Sequence, residues 1–127
     1  MATEKKAQVL IVDDNEDILF MLKTMLQLKG YQVTVRENAD NIEAFIVELM
    51  PDLILMDMLL SGMDGSDVCR KIKQNPELTA IPIVMISALP QAGEKCLQAG
   101  ANYFVGKPFE MNDFLQVVSN ALSKSIV

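Results

Sequence analysis

Four apolar runs, each broken off by a polar residue, constrain this chain more than any other feature. Val9-Leu10-Ile11-Val12 stops at Asp13, Leu53-Ile54-Leu55-Met56 at Asp57, and Ile83-Val84-Met85-Ile86 at Ser87. The fourth, Tyr103-Phe104-Val105, is shorter and leads through Gly106 into Lys107-Pro108. Short unbroken runs suit strands of a parallel sheet that is covered on both faces. Tyr31-Gln32-Val33-Thr34-Val35-Arg36 alternates instead, which predicts a strand at the sheet edge.

Helical spacing fills the intervals. Ile18, Leu22, Met25 and Leu26 form one stripe, with Gly30 as its C-terminal stop. Ile42, Phe45, Ile46 and Leu49 form a second, ended by Pro51. Ser66 is the expected cap of a third helix, which carries Val68 and Ile72 and ends near Asn75-Pro76. A fourth, from Gln91 to Ala99, has the weakest stripe, with Cys96 and Leu97 its main contributors. Phe114, Val117, Val118, Ala121 and Leu122 mark the fifth. Strand followed by helix, repeated in this way, predicts an α/β fold. Its form is a single doubly wound, five-stranded parallel sheet with right-handed crossovers and five helices over its two faces. A chain of 127 residues is expected to be one domain, with its core over 8–122. Neither flank is long enough to hold an output domain.

Composition narrows the function. The net charge of −6 argues against direct binding to nucleic acid or to an anionic membrane. No apolar run approaches a membrane span, and no signal peptide is visible at Met1-Ala2-Thr3-Glu4-Lys5-Lys6. Cys69 and Cys96 are not a CxxC pair, so free thiols in a reducing cytoplasm are expected. There is no histidine, which excludes Ser-His-Asp and Cys-His triads and histidine-ligated zinc. A site in this chain is therefore built from carboxylates, hydroxyls, lysine and backbone.

Open parallel sheets bind ligands beyond the carboxyl ends of their strands. Those ends carry Asp13-Asp14, Asp57, Ser87 and, just past the last strand, Lys107. Taken alone, each has an ordinary reading: a helix cap, a turn hydroxyl, a loop lysine. Their joint occurrence at matching strand ends points to a constructed site. The first strand–helix turn, Asp13-Asp14-Asn15-Glu16-Asp17, contains no glycine. It lacks the backbone cradle for a nucleotide or flavin phosphate. Oxygen ligands of this kind attract a hard cation, Mg²⁺ above all, which can then accept a phosphoryl group opposite it.

With these residues in view, the chain resembles the receiver domain of two-component response regulators over most of its length. The landmarks are Val9-Leu10-Ile11-Val12-Asp13-Asp14, Asp52-Leu53-Ile54-Leu55-Met56-Asp57, Gly62-Met63-Asp64-Gly65, Ile81-Pro82-Ile83-Val84-Met85-Ile86-Ser87-Ala88 and Lys107-Pro108-Phe109. The resemblance implies the flavodoxin-like strand order 2-1-3-4-5. It implies that Asp57 accepts a phosphoryl group from a phosphohistidine on a sensor histidine kinase or histidine phosphotransfer protein. Asp14 and Asp57 would ligate Mg²⁺, with Asp13 bound directly or through water and the Leu59 backbone carbonyl completing the set. Lys107 would pair with phosphoryl oxygens, and Ser87 would donate its hydroxyl to them. Output would be contact with a downstream protein through the fourth helix, fifth strand and fifth helix, as a monomer or a phosphorylation-dependent dimer. Turnover beyond self-phosphorylation and self-dephosphorylation is not expected.

Four positions depart from the family pattern or stand open. Phe104 holds the switch position where Tyr is common; without a hydroxyl to satisfy, an inward rotamer costs it less. Tyr103 is expected on the other face. Ser61 stands where Pro is frequent, which loosens the loop after Asp57. Leu59 brings an apolar side chain to the site mouth and is expected to hinder attacking water. Ala88 is small and leaves the phosphate pocket accessible. Elsewhere, the methionines and cysteines are expected as core filler, and Arg70, Lys71 and Lys73 as a solvated helix face.

The other readings are a constitutive binding module with a receiver fold, or a receiver cut from a longer regulator or hybrid kinase. A flavodoxin-like cofactor carrier would share the fold, but the acidic first turn disfavours it. A metal-dependent phosphatase would want a second Asp at the place of Leu59.

Overall fold

The computed structural model describes residues 6–89 and 91–125. Lys5 and the rest of the opening segment 1–5 lie outside the described residues. In chain order the elements are β1 (Gln8–Val12), α1 (Glu16–Leu28), β2 (Gln32–Arg36), α2 (Ile42–Leu49), β3 (Leu53–Asp57), β4 (Leu59–Leu60), β5 (Met63–Asp64), α3 (Gly65–Gln74), β6 (Ile83–Ser87), α4 (Ala92–Gln98), β7 (Tyr103–Gly106) and α5 (Met111–Ser125). The main sheet runs β2-β1-β3-β6-β7 with every pairing parallel. Counted along that sheet alone, the order is 2-1-3-4-5, as the resemblance implies. The alternating strand β2 is at the edge. Among the described residues, no helix is long and apolar enough to cross a membrane.

Side chains of a strand alternate between faces, and here that alternation divides the interior in two. Leu10, Val12, Ile54, Met56, Ile83 and Met85 meet α2, α3 and α4 through Ile42, Ile46, Val68, Cys69, Ile72 and Cys96. Val9, Ile11, Leu53, Leu55, Val84 and Ile86 meet α1 and α5 through Leu19, Leu22, Leu26, Phe114, Val118 and Leu122. Full burial of one such large apolar side chain stabilises by roughly 1.5–3 kcal/mol. The unbroken apolar runs are thus explained by helices on both faces.

The structure corrects several local expectations. A two-stranded antiparallel hairpin, β4 with β5, fills the segment after Asp57. Two-residue strands carry no periodicity, so nothing in the pattern announced them. The cap of α3 is Asp64, not Ser66: the Asp64 carboxylate accepts both the Ser66 amide (2.8 Å) and the Ser66 hydroxyl (2.6 Å). In α1, Leu19 is buried with Leu22 and Leu26, while Ile18 and Met25 only flank that core. Leu97 of α4 is exposed, which leaves Ala92 and Cys96 to hold that helix. Met56, Met58 and Met85 are core, but Met21, Met50 and Met63 are exposed. Lys73 is no solvated face residue either. Its ammonium donates to the carbonyls of Thr79 (3.2 Å) and Ile81 (2.7 Å), pinning the loop before β6.

One glycine fixes how the hairpin leaves the sheet. A Cβ on Gly65 would collide with the Asp57 carbonyl oxygen and lie 2.9 Å from Met58 Cα. Both are backbone atoms and cannot step aside as a flexible side chain would. Gly65→Ala should therefore destabilise the fold by about 2–4 kcal/mol, the scale of a severe steric substitution. Urea unfolding would measure it, and a loss below about 0.5 kcal/mol, as for an unconstrained surface site, would contradict this packing.

Candidate functional site

The register of the sheet assembles the site. β1 pairs with β3 so that Val12 stands opposite Met56, and the next residues, Asp13 and Asp57, come side by side. β3 pairs with β6 at Asp57 and Ile86, which brings Ser87 to the same end. β7 pairs with β6 at Gly106 and Ser87, and the Lys107 amide donates to the Ser87 carbonyl at 2.8 Å. Residues far apart in sequence thus meet at one edge because four strands end in step.

Asp13, Asp14 and Asp57 each offer a carboxylate oxygen, and these atoms lie within 4.8 Å of one another. Asp13 is 2% exposed and Asp57 8%. The Lys107 ammonium stands 3.5 Å from Asp57 Oδ1 and 3.7 Å from Asp13 Oδ2. Asp13 also accepts the Asn15 amide at 2.9 Å. Asn15 caps α1 by accepting the amides of Asp17 and Ile18, so the helix starts directly beneath the acidic turn. Asp14 is exposed and accepts the Ser61 hydroxyl at 2.8 Å.

Electrostatics at the site are strained. Burial raises the Asp57 carboxyl above its ordinary value, and the neighbouring Asp13 charge adds to this, while Lys107 pulls the other way. Burial likewise raises Asp13 against the Asn15 amide and Lys107. Such a cluster of hard oxygen donors has the chemistry of a Mg²⁺ or Ca²⁺ site, not of a zinc site with nitrogen and sulfur ligands. The residues present therefore fit the cation their chemistry implies.

Ser87 and Leu59 occupy different places around this centre. Ser87 is 1% exposed, and its hydroxyl oxygen accepts the Leu89 amide at 3.0 Å, which leaves its own proton to be donated. Leu59 opens β4 opposite Asp64 and is 57% exposed at the rim. Phe104 is half-buried on the side of α2, α3 and α4, while Tyr103 packs on the opposite face, as its parity requires. A Cβ on Gly93 of α4 would come within 3.1 Å of the Phe104 ring, so the ring lies directly on that helix.

Two connections at the site were not foreseen. Lys95 of α4 pairs with Asp64 at 2.6 Å. Although partial burial pushes the Asp64 carboxyl up, the bonds from Lys95 and Ser66 hold it down to about 2. The Ser61–Asp14 bond is the other. Both depend on the β4–β5 hairpin, whose position is set by tertiary packing.

A family model for the response regulator receiver domain matches residues 9–119. The chain is 37% identical over 106 residues to the response regulator PleD of Caulobacter vibrioides, a match covering 82% of this chain and 23% of that protein. It therefore spans under a quarter of that relative. Its fold is similar to a crystal structure of a putative response regulator from Chloroflexus aurantiacus, with TM-score 0.89, 33% identity, and 94% and 99% of the two chains covered. It is also similar to the receiver domain of a sensor histidine kinase from Pseudomonas aeruginosa, solved with a magnesium ion coordinated in the active-site cleft. That likeness has TM-score 0.84 and 28% identity, and covers 94% of this chain and 99% of that one.

The Asp57 charge carries a testable consequence. A carboxyl raised in the folded state penalises the fold once it is ionised. The penalty is absent below the ordinary pKa of Asp, near 4, and complete above the raised folded value. Asp57→Asn should stabilise the protein at pH 7 by about 1 kcal/mol, the usual scale of a single substitution. The gain should shrink towards zero near pH 3. Urea midpoints at the two pH values would check this, and a gain that persists undiminished at pH 3 would refute the electrostatic cause.

Proposed function

The chain belongs to the response regulator receiver family, and on that premise we propose that it is a phosphorylation switch whose acceptor is Asp57. The observation that carries this reading is one buried carboxylate at a strand end, with two further carboxylates and a lysine around it.

The phosphoryl donor is a phosphohistidine on a sensor histidine kinase or histidine phosphotransfer protein. An Asp57 carboxylate oxygen attacks phosphorus, a P–O bond forms, and the P–N bond to the donor imidazole breaks. The electron pair of that bond leaves with the imidazole nitrogen. Phosphoryl transfer depends mainly on positioning and on neutralising charge. Asp13, Asp14, Asp57 and the Leu59 backbone carbonyl would hold a magnesium ion, which when bound would neutralise charge between the carboxylate and the incoming phosphate. Lys107, already 3.5 Å from Asp57, exchanges part of its carboxylate contact for the new phosphoryl oxygens. Ser87 turns its free proton towards those oxygens and draws the loop after β6 with it.

The readout is the surface formed by α4, β7 and α5, presented to a downstream protein. Three contacts tie α4 to the site and support this choice. Lys95 reaches Asp64, Cys96 Sγ lies 3.9 Å from Met58 Sδ beside Asp57, and Phe104 lies against Gly93. With a phosphohistidine partner the domain works in the cytoplasm. It turns over only by losing its own phosphoryl group.

Intact-mass spectrometry after incubation with a small acyl phosphate tests the reading directly. Wild type should gain one phosphoryl group only with Mg²⁺ present, and Asp57→Asn none. If wild type gains none and also fails to bind a beryllium fluoride mimic, the chain is a constitutive binding module with a receiver fold.

Leu59 sets the lifetime of that state. Its side chain stands exposed at the rim, where it excludes water from the line of attack on phosphorus. Leu59→Asn should speed loss of the phosphoryl group by about tenfold, roughly 1.4 kcal/mol of barrier. Following the phosphorylated mass with time checks this, and an unchanged rate would remove Leu59 from the mechanism.

A further inference from the structure

We propose that Ser61 is a positioning residue, holding the Asp14 carboxylate in its cation-binding place. The inference rests on the metal reading above and concerns how this chain keeps its most exposed ligand in register. The carboxylates of Asp13, Asp14 and Asp57 have oxygens within 4.8 Å of one another, so each repels the other two. Asp13 is restrained by burial, by the Asn15 amide and by Lys107, and Asp57 by burial and Lys107. Asp14 is exposed, and among the described residues no lysine pairs with it. Repulsion alone would swing it into solvent, where its charge is better hydrated. The Ser61 hydroxyl opposes that swing by donating to Asp14 Oδ2 at 2.8 Å, from 47 residues away in sequence.

Ser61 is presented by a built element and not by a loose loop. It sits at the tip of the β4–β5 hairpin, between the paired Leu60 and Met63. Leu60 is buried and anchors one strand. Gly62, at φ +73°, makes the tight turn beside it. Gly65 closes the base of the hairpin onto the Asp57 backbone. The hydroxyl is thereby aimed across the mouth of the site. With Oδ2 taken by Ser61, the other oxygen of Asp14 remains for a cation. Hydrogen bonds to ligating carboxylates fix their orientation in this way. A proline at this place, frequent in the family, has no side-chain donor and could not do so. The loosening expected from losing that proline is thus offset by a bond that proline cannot make.

The test is a Mg²⁺ titration of the full chain followed by backbone amide chemical shifts, with no phosphodonor present. Ser61→Ala should bind Mg²⁺ about tenfold more weakly, the low end for loss of a ligand-orienting hydrogen bond, and Ser61→Thr should restore most of the affinity. In an Asp14→Ala background, which has no side-chain acceptor, Ser61→Ala should change the affinity no further. Mg²⁺ binding by Ser61→Ala as tight as wild type would overturn the proposal. So would an equal loss of about tenfold in the Asp14→Ala background, which would assign the effect to hairpin packing. A wild type that shows no Mg²⁺-dependent shifts would instead overturn the metal reading itself, and this inference with it.

Discussion

Mutual repulsion among three carboxylates is the constraint from which the rest of this structure follows. Asp13 and Asp57 are buried side by side at the ends of adjacent strands, and Asp14 stands next to them. Burial alone disfavours their charged forms, and each charge makes the next one harder to hold. Lys107 answers only part of this, at 3.5 and 3.7 Å from two of the three. The folded protein therefore carries an unsatisfied demand for positive charge at the strand ends. Under the proposed function a divalent cation would meet that demand, and a phosphoryl group could then approach where it would otherwise be repelled. The site is costly to the apo fold, and it is useful for the same reason.

How much of this was legible in the sequence depends on how each feature is encoded. The sheet was legible because its runs are long, apolar and stopped by charge: β1, β3 and β6 begin and end within one residue of the runs that announced them. The core site was legible for the same reason, since Asp13, Asp57 and Ser87 are those stops. The β4–β5 hairpin was not, because two-residue strands have no period to detect and are defined by their pairing alone. Ser61 was noted only for the proline it replaces. Its bond to Asp14 joins two loops distant in sequence, and no local pattern encodes that. The Asp64 cap was within reach. Asp64-Gly65-Ser66 is an acceptor followed two residues later by an amide it can hold, but Ser66 offered an equally good capping side chain. Lys73 was misjudged because its neighbours Arg70 and Lys71 set an exposed context, whereas its long stem lets the ammonium reach buried carbonyls.

The weak stripe of α4 has a structural counterpart. The helix spans seven residues and buries only Ala92 and Cys96. Its remaining attachments are the Lys95–Asp64 pair, the contact of Cys96 with Met58, and the Phe104 ring against Gly93. An exposed ion pair of this kind contributes little to global stability. A helix with few buried contacts is among the first elements able to shift, and in this chain two of its contacts, with Asp64 and Met58, lead back to the segment after Asp57. Weak packing and direct connection to the site are together what a switching element requires.

Strand parity explains why such connections are needed. Counting along each strand, Asp13, Asp57 and Lys107 share the parity of Val9, Leu55 and Val105, the face covered by α1 and α5. Ser87 shares the parity of Ile83 and Met85, and Phe104 pairs with Met85, on the face covered by α2, α3 and α4. The acceptor cluster and α4 therefore belong to opposite faces of one sheet, while α5 shares the face of the acceptor cluster. A change at Asp57 cannot pass to α4 through the two-sided core, where close packing on each face resists displacement. It has to go around the carboxyl edge, where the chain is not in the sheet. Two segments cross that edge: the loop that leaves β6 at Ser87 and leads into α4, and the β4–β5 hairpin, which touches Asp14 at its tip and Lys95 at its foot.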